Sequence, residues 1–248
     1  MAPTVPLPDL PAVSRPDLDL LAERMADSRR VFVVLDDDPT GTQSVADLPV
    51  LGAWDVADFA WAFSSGAPAV YVLTNSRSLA PAEAERINRE VVRAALAAAE
   101  TARVRVDFVS RSDSTLRGHF PLEPDTIADE IGRSGALAPT NVVVVPAFPD
   151  AGRMTVRGVH GILSDEGFIP IGETEFAGDS TFGFRASRLA DWVAEKRGGA
   201  IPAADVVEVT VDDLRAGTAA VAAVLRAAPA GAPIVGDAVV EEDLVELA

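Results

Sequence analysis

The chain has 248 residues, 48% of them hydrophobic, with 18 Gly and 18 Pro: a globular composition large enough for one α/β domain or two small ones. It contains no cysteine, which excludes disulfides, thiolate zinc sites and cysteine nucleophiles. A formal net charge of −17 works against nucleic acid or an anionic membrane surface as partner, and the single lysine, Lys196, leaves no G-x-x-x-x-G-K-[ST] phosphate loop.

The N-terminal stretch "MAPTVPLPDLPAVSRPDLDLL" has prolines where a signal peptide needs an apolar core, and no basic start. It reads as an extended arm leading into a helix near Pro16 to Asp27. No apolar run has the length to span a bilayer, so the expectation is a soluble, cytoplasmic protein.

From residue 31 onward, apolar and helical patterns alternate. "VFVVL" (31–35) and "AVYVL" (69–73) are β-branched and unalternating, as strands covered on both faces are. "PAEAERINREVVRAALAAAE" (81–100) follows, with Pro81 suited to a first helical turn and alanines that favour helix. Strand "VRVDFV" (104–109), helix "LEPDTIADEIG" (122–132) and strand "NVVVV" (141–145) come next. Residues 153–184 break the rhythm and are expected to form a loop or hairpin excursion. Helix "ASRLADWVAEK" (186–196), strand "DVVEV" (205–209), helix "VDDLRAGTAAVAAVLRAA" (211–228) and strand "PIV" (233–235) complete the series. This order predicts an α/β fold with a doubly wound, mainly parallel sheet and helices on both faces. The arm and first helix occupy 1–30, and one α/β domain is expected over 31–248.

Four polar clusters follow four of these strands: "DDDPTGTQ" (36–43), "TNSRS" (74–78), "SRSDSTLRGH" (110–119) and "PAFPDAGR" (146–153). Ligands bind beyond the carboxyl ends of parallel strands, so the clusters point to one site. Three adjacent carboxylates at Asp36, Asp37 and Asp38 repel one another, and a turn needs only one of them as a cap. A carboxylate placed there can take a proton from a substrate hydroxyl or hold Mg²⁺. Arg77, Arg111, Arg117 and Arg153 lie beside Ser, Thr or Gly and together are expected to clamp a carboxylate or phosphate. Ser112, Ser114 and Thr115 suit a polyhydroxylated ligand. His119 and His160 are the only histidines, too few for a histidine metal cluster, and no resident metal site is assigned.

"VFVVLDDDPT" also matches a strand followed by D-x-D-x-T, the opening of haloacid-dehalogenase-type phosphatases. On that alternative Asp36 is the nucleophile and Asp38 the acid/base. "VLTNS" would be the second motif, and Lys196 and "GDAVVEED" (236–243) the later lysine and metal-binding acids.

Longer matches point elsewhere. Asp37, Asp38, Thr40 and Gly41 fit D-D-x-T-G, and Ser76, Arg77 and Ser78 fit S-R-S. Asp113, Ser114, Thr115 and Gly118 fit D-S-T-x-x-G, and residues 146–153, with Phe148, Gly152 and Arg153, fit P-A-F-P-x-x-G-R. In these four ordered motifs the chain resembles the N-terminal domain of the four-carbon acid sugar kinases, which phosphorylate threonate, erythronate and 3-oxo-tetronate-like acids with ATP. The resemblance implies a transferase of carbohydrate metabolism whose substrate-binding domain is this chain. Its catalytic residues would be Asp37 and Asp38. Its substrate contacts would be Thr40, Gly41, Ser76, Arg77, Ser78, Arg111, Asp113, Ser114, Thr115, Arg117, Gly118, His119, Phe148, Gly152 and Arg153. It also implies a small anionic sugar acid as ligand, with ATP and Mg held mostly by a separate C-terminal nucleotide-binding domain that the sequence does not contain. A non-catalytic sugar-acid-binding protein is the other alternative, and a homodimer is compatible with either. Asp36, Arg111 and His119 depart from the family pattern, which more often has a small residue, Lys and Asn there.

Overall fold

The structure is a computed structural model that describes residues 4–13, 15–40, 46–136 and 138–248. The chain groups into two compact units. The first comprises Asp17–Ser112 and Gly118–Pro139; the second comprises Asp113–Arg117, Thr140–Ala248 and the N-terminal segment up to Pro16.

In the first unit, strands β1 (Arg30–Asp36), β2 (Val50–Leu51), β3 (Ala69–Leu73) and β4 (Arg105–Arg111) form one parallel sheet in the order β2-β3-β1-β4. Val33 and Val34 are successive and both buried, so both faces of β1 are covered. Among the described residues its helices are α1 (Leu18–Ser28), α2 (Val56–Ser64), α3 (Pro81–Ala102) and α4 (Leu122–Arg133). α1 starts where the Asp17 carboxylate accepts the Leu20 N–H at 3.0 Å, and none of its residues is buried. α3 begins at Pro81 and buries Ala84, Ile87, Asn88, Val91, Val92, Ala95, Ala98 and Ala99, a spacing of three and four that makes one helical face. It ends as Arg103 turns left-handed, at φ 57°. α2 brings in Phe59 and Phe63, one turn apart with ring centroids 5.8 Å apart, and closes the core formed with Val33, Val70, Val72, Val91 and Val92.

Register is what matters for function. Asp36 pairs with Leu73 on one side and with Arg111 on the other, so β1, β3 and β4 end level. The polar clusters that follow these three strands therefore emerge along one edge.

The second unit has a parallel sheet of β5 (Val143–Val144), β9 (Val207–Val209) and β10 (Ile234–Gly236), ordered β5-β10-β9. An antiparallel sheet of β6 (Arg153–Val156), β7 (Val159–Ser164) and β8 (Gly167–Pro170) makes up the excursion expected over 153–184. Arg157 and Gly158 turn between β6 and β7 with φ of 47° and 80°, the twist that a two-residue hairpin loop needs. The N-terminal arm bridges β8 at Val5 and Phe168, and Leu7 and Leu10 pack against Met154, Val156 and Phe168. The helices are α5 (Leu189–Lys196), α6 (Val211–Arg215), α7 (Thr218–Ala227) and α8 (Glu241–Leu247).

The α/β class, the parallel strands and the excursion match the sequence reading, with three differences. The six expected strands divide between two sheets instead of sharing one: an apolar run shows that a strand is covered, not which strand it pairs with. The helix expected over 211–228 is two, broken where Gly217 adopts φ 96°. α2 and α8 were not anticipated, being only nine and seven residues long. Phe59 is fully buried, so Phe59→Ala is expected to destabilise the chain by about 3–5 kcal/mol in urea unfolding. A loss under about 1 kcal/mol would mean that α2 is not part of the core.

Candidate functional site

Asp36 ends β1 and is fully buried; Asp37 is 1% exposed. Asp38 keeps 25% of its side-chain surface. Three adjacent carboxylates persist here because each has its own partners. Arg111 Nη1 donates to Asp36 Oδ1 at 3.0 Å. Arg77 grips Asp37 with two nitrogens, Nη2 to Oδ1 at 2.5 Å and Nε to Oδ2 at 3.1 Å, and reaches Asp38 Oδ2 with Nη1 at 2.8 Å. Ser112 Oγ–H adds a bond to Asp37 Oδ2 at 2.7 Å, and Thr40 gives Asp38 Oδ1 both its N–H (2.8 Å) and its hydroxyl (2.6 Å).

The balance differs from one aspartate to the next. Burial pushes the Asp36 carboxyl up from its ordinary value against the pull of Arg111. Its Oδ2 has no hydrogen-bond partner. The Thr40 hydrogen bonds, aided by Arg77 and Arg111, hold Asp38 below the usual carboxylate range. Asp38 is thus ionised at neutral pH and partly open to solvent.

The neighbouring strand ends fix this arrangement. Thr74 donates both N–H and hydroxyl to the Asp36 carbonyl, each at 2.9 Å, and the Arg77 N–H donates to the Asp37 carbonyl at 3.2 Å. Ser76 and Ser78 flank Arg77 in a short 3-10 turn, where Ser78 Oγ–H caps the Asn75 carbonyl at 3.1 Å. His119 is buried and its Nε2 lies 3.1 Å from the carbonyls of Ser76 and of Leu79, so that nitrogen carries the proton and braces the turn. Gly118 has φ 146°, and a Cβ there would fall 2.0 Å from Ser112 Oγ and 3.2 Å from Asp37 Oδ2. Only glycine leaves room for the Ser112–Asp37 bond.

The remaining expected residues lie in the second unit. Asp113 accepts the Thr115 N–H (3.0 Å) and hydroxyl (2.6 Å) and Arg117 Nε–H (2.7 Å). Burial pushes the Asp113 carboxyl up, but Thr115 and Arg117 together outweigh it and leave its pKa lowered. Arg117 also stacks over Phe176, 4.8 Å from the ring centroid. The Ser114 carbonyl accepts from His160 Nε2–H at 2.7 Å, while His160 Nδ1 takes the Thr155 hydroxyl at 2.9 Å. Phe148 is exposed and exchanges backbone bonds with Arg153 around Gly152, whose φ is 71°. Arg153 Nε is buried without a hydrogen-bond partner.

The first unit therefore gathers Asp37, Asp38, Thr40, Ser76, Arg77, Ser78, Arg111, Gly118 and His119. Asp113, Ser114, Thr115, Arg117, Phe148, Gly152 and Arg153 belong to the second. Gly41 lies outside the described residues. Sequence reasoning passed over Glu123 and Asn88, buried behind Ser76, and Phe176 beneath Arg117. Glu123 sits in the first turn of α4, where an acidic residue is expected for the helix dipole alone.

Burial speaks against the phosphatase alternative. A fully buried Asp36 paired with Arg111 is not an accessible nucleophile. Lys196 Nζ donates to the Phe182 and Gly183 carbonyls, and Asp237 accepts the N–H groups of Gly158 and Val211, so both are engaged in holding the second unit's backbone.

A family model for the sugar-binding N-terminal domain matches residues 32–248. The chain belongs to this sugar-binding N-terminal domain family. A D-erythronate kinase of Heliobacterium modesticaldum is 35% identical over 142 residues, which is 56% of this chain and 29% of that protein. Together the two matches bear out the resemblance to the N-terminal domain of the four-carbon acid sugar kinases.

Solved structures share the fold of this sugar-binding domain. A domain of unknown function from Bordetella bronchiseptica, with bound citrate and in a domain-swapped dimer, superposes with TM-score 0.60 at 25% identity, covering 88% of this chain and 50% of that one. A putative tRNA synthase from Salmonella typhimurium LT2 gives 0.59 at 19% identity, covering 88% and 49%. The chain spans about half the length of these structures and less than a third of the kinase. Among the described residues no helix is long and apolar enough to cross a membrane.

The buried His160 imidazole is pushed down to about 4 by burial, so it is neutral when folded and titrates near 6.5 when unfolded. Its contribution to stability is whole above about 6.5 and is lost as pH falls toward 4, on the order of 3 kcal/mol. Asp237 in the same unit runs oppositely: burial raises its carboxyl to about 6, so its cost develops as pH rises through the acid range. Urea unfolding of wild type and His160→Gln across this window separates the two. The variant should show a flatter loss toward acid, and an unchanged slope would contradict the assignment.

Proposed function

We propose that the chain is the substrate-binding part of an ATP-dependent kinase that phosphorylates a hydroxyl of a four-carbon sugar acid of the erythronate or threonate type. The observation that carries this reading is the pair of carboxylates on one guanidinium: Arg77 holds Asp37 buried and Asp38 partly open at the level ends of three strands. Such a pair is suited to receiving a hydroxyl proton while its own position stays fixed. The activity of the D-erythronate kinase and the citrate in the Bordetella structure, a hydroxylated polycarboxylate, support a hydroxy acid as the ligand class.

In this reading the substrate hydroxyl donates to a free lone pair of Asp38. Arg77 and Thr40 occupy the other positions on that carboxylate. As the hydroxyl oxygen bonds to the γ-phosphorus of ATP, its proton passes to Asp38 and the bond to the departing ADP oxygen breaks with its electron pair. Asp37 orients Arg77 and does not itself take the proton. Transfer of this kind depends on positioning and charge neutralisation, which a rigid cluster supplies. Mg·ATP is the second substrate, held by a nucleotide-binding domain of the kind the resemblance implies.

Arg111 lies near Asp38 and helps lower its pKa; with its side chain 36% exposed, it has N–H groups to offer the acid's carboxylate. Arg117 and Arg153 stay proposed anion-binding residues of the second unit. A cytoplasmic role in carbohydrate metabolism is the setting this reading implies. Calorimetry with D-erythronate and with erythritol, the uncharged polyol, tests it. The acid should bind and the polyol should not, and Arg111→Ala and Asp38→Asn should each weaken binding by about 1.5–3 kcal/mol with the fold intact. Equal binding of acid and polyol, or indifference to both substitutions, would overturn the reading.

A further inference from the structure

Behind the Arg77 turn lies a buried polar cluster centred on Glu123, a residue outside the four sequence motifs. Glu123, in the first turn of α4, is 4% exposed. Its Oε1 accepts Ser76 Oγ–H at 2.5 Å and Asn88 Nδ2–H at 3.3 Å, and its Oε2 accepts Ser110 Oγ–H at 3.3 Å. Ser76 is fully buried and Asn88 nearly so. One carboxylate thus ties together the turn after β3, the end of β4, helix α3 and helix α4. A charge is buried only where such bonds compensate for the lost water.

We infer that Glu123 is a positioning residue for the Asp37–Arg77–Asp38 cluster, acting through Ser76. Ser76 is the residue before Arg77 and is held at both ends. Its hydroxyl is fixed by Glu123, and its carbonyl receives His119 Nε2–H at 3.1 Å and the Leu79 N–H at 3.0 Å. From this anchored residue the Arg77 N–H reaches the Asp37 carbonyl, and the guanidinium spans both carboxylates. The preceding residue, Asn75, is left-handed at φ 52°, a turn conformation that asparagine tolerates better than most L residues. Burial also raises the Glu123 carboxyl, with the Ser76 hydrogen bond opposing. Ser76 and Asn88 both donate to Oε1, so the positioning asks for an acceptor at that atom. Glutamine keeps that acceptor and turns its amide nitrogen toward the Ser110 hydroxyl, which can accept.

The consequence for catalysis rests on the function proposed above; the test does not. The Arg77 Nε–H proton, identified in the nuclear magnetic resonance spectrum of the full chain by its absence in Arg77→Lys, reports how firmly the guanidinium is held. In Glu123→Ala and Ser76→Ala, each shown to be folded by circular dichroism, its exchange with water should quicken about tenfold or more. Glu123→Gln should stay near wild type. A role confined to stability would leave the exchange unchanged in any variant that folds. If Glu123→Ala does not fold, Ser76→Ala, which removes one hydroxyl, decides alone: unchanged exchange there overturns the inference. No ligand is added, so failure of the functional reading would leave this result standing.

Discussion

Everything at the proposed site depends on one guanidinium bridging two carboxylates that are neighbours in the chain. Asp37 and Asp38 repel each other, and the repulsion grows as water is excluded. Arg77 answers it with three N–H groups, two on Asp37 and one on Asp38. Lysine offers a point charge and no planar fork, so it does not reproduce this geometry. Because the bridge neutralises Asp37, that aspartate can stay buried and serve as a fixed support. Asp38 is left at the surface of the cluster, ionised and accessible.

The bridge forms because of strand register. β1, β3 and β4 end together, so the residue after each strand meets its counterparts: Asp37 after Asp36, Thr74 after Leu73, and Ser112 after Arg111. Thr74 and Ser112 both bond to the β1 terminus. Gly118 then passes close enough that no side chain fits between it and Ser112. The apolar core of Val33, Val70, Val72 and Phe59 holds the strands in that register, and so links packing to the placement of the carboxylates.

The sequence carried much of this account, in uneven measure. Three aspartates after an apolar strand marked the proposed site, because electrostatics makes such a run costly without a purpose. The spacing of alanine and valine marked α3, and Pro81 marked its start. What the sequence did not carry were pairings. An unalternating strand does not name its neighbours, so β5, β9 and β10 read as part of the sheet that contains β1, while the structure pairs them with one another. Arg77 read as a clamp for a ligand; its three guanidinium bonds to Asp37 and Asp38, partners 39 and 40 residues away in the chain, were not foreseen. Glu123 was passed over, since an acidic residue at a helix start needs no further role. Its contacts with Ser76, Asn88 and Ser110 come from three separate segments, and local pattern holds no trace of them.

In the proposed function the Arg77-held pair presents Asp38 to a hydroxyl of a four-carbon sugar acid. A crystal structure of the chain with bound D-erythronate measures this most directly. One ligand hydroxyl should lie about 3 Å from an Asp38 carboxylate oxygen, with the Arg77 bridge intact. An acid bound with all its hydroxyls away from Asp38, or seated with Arg77 swung off the two aspartates, would contradict it.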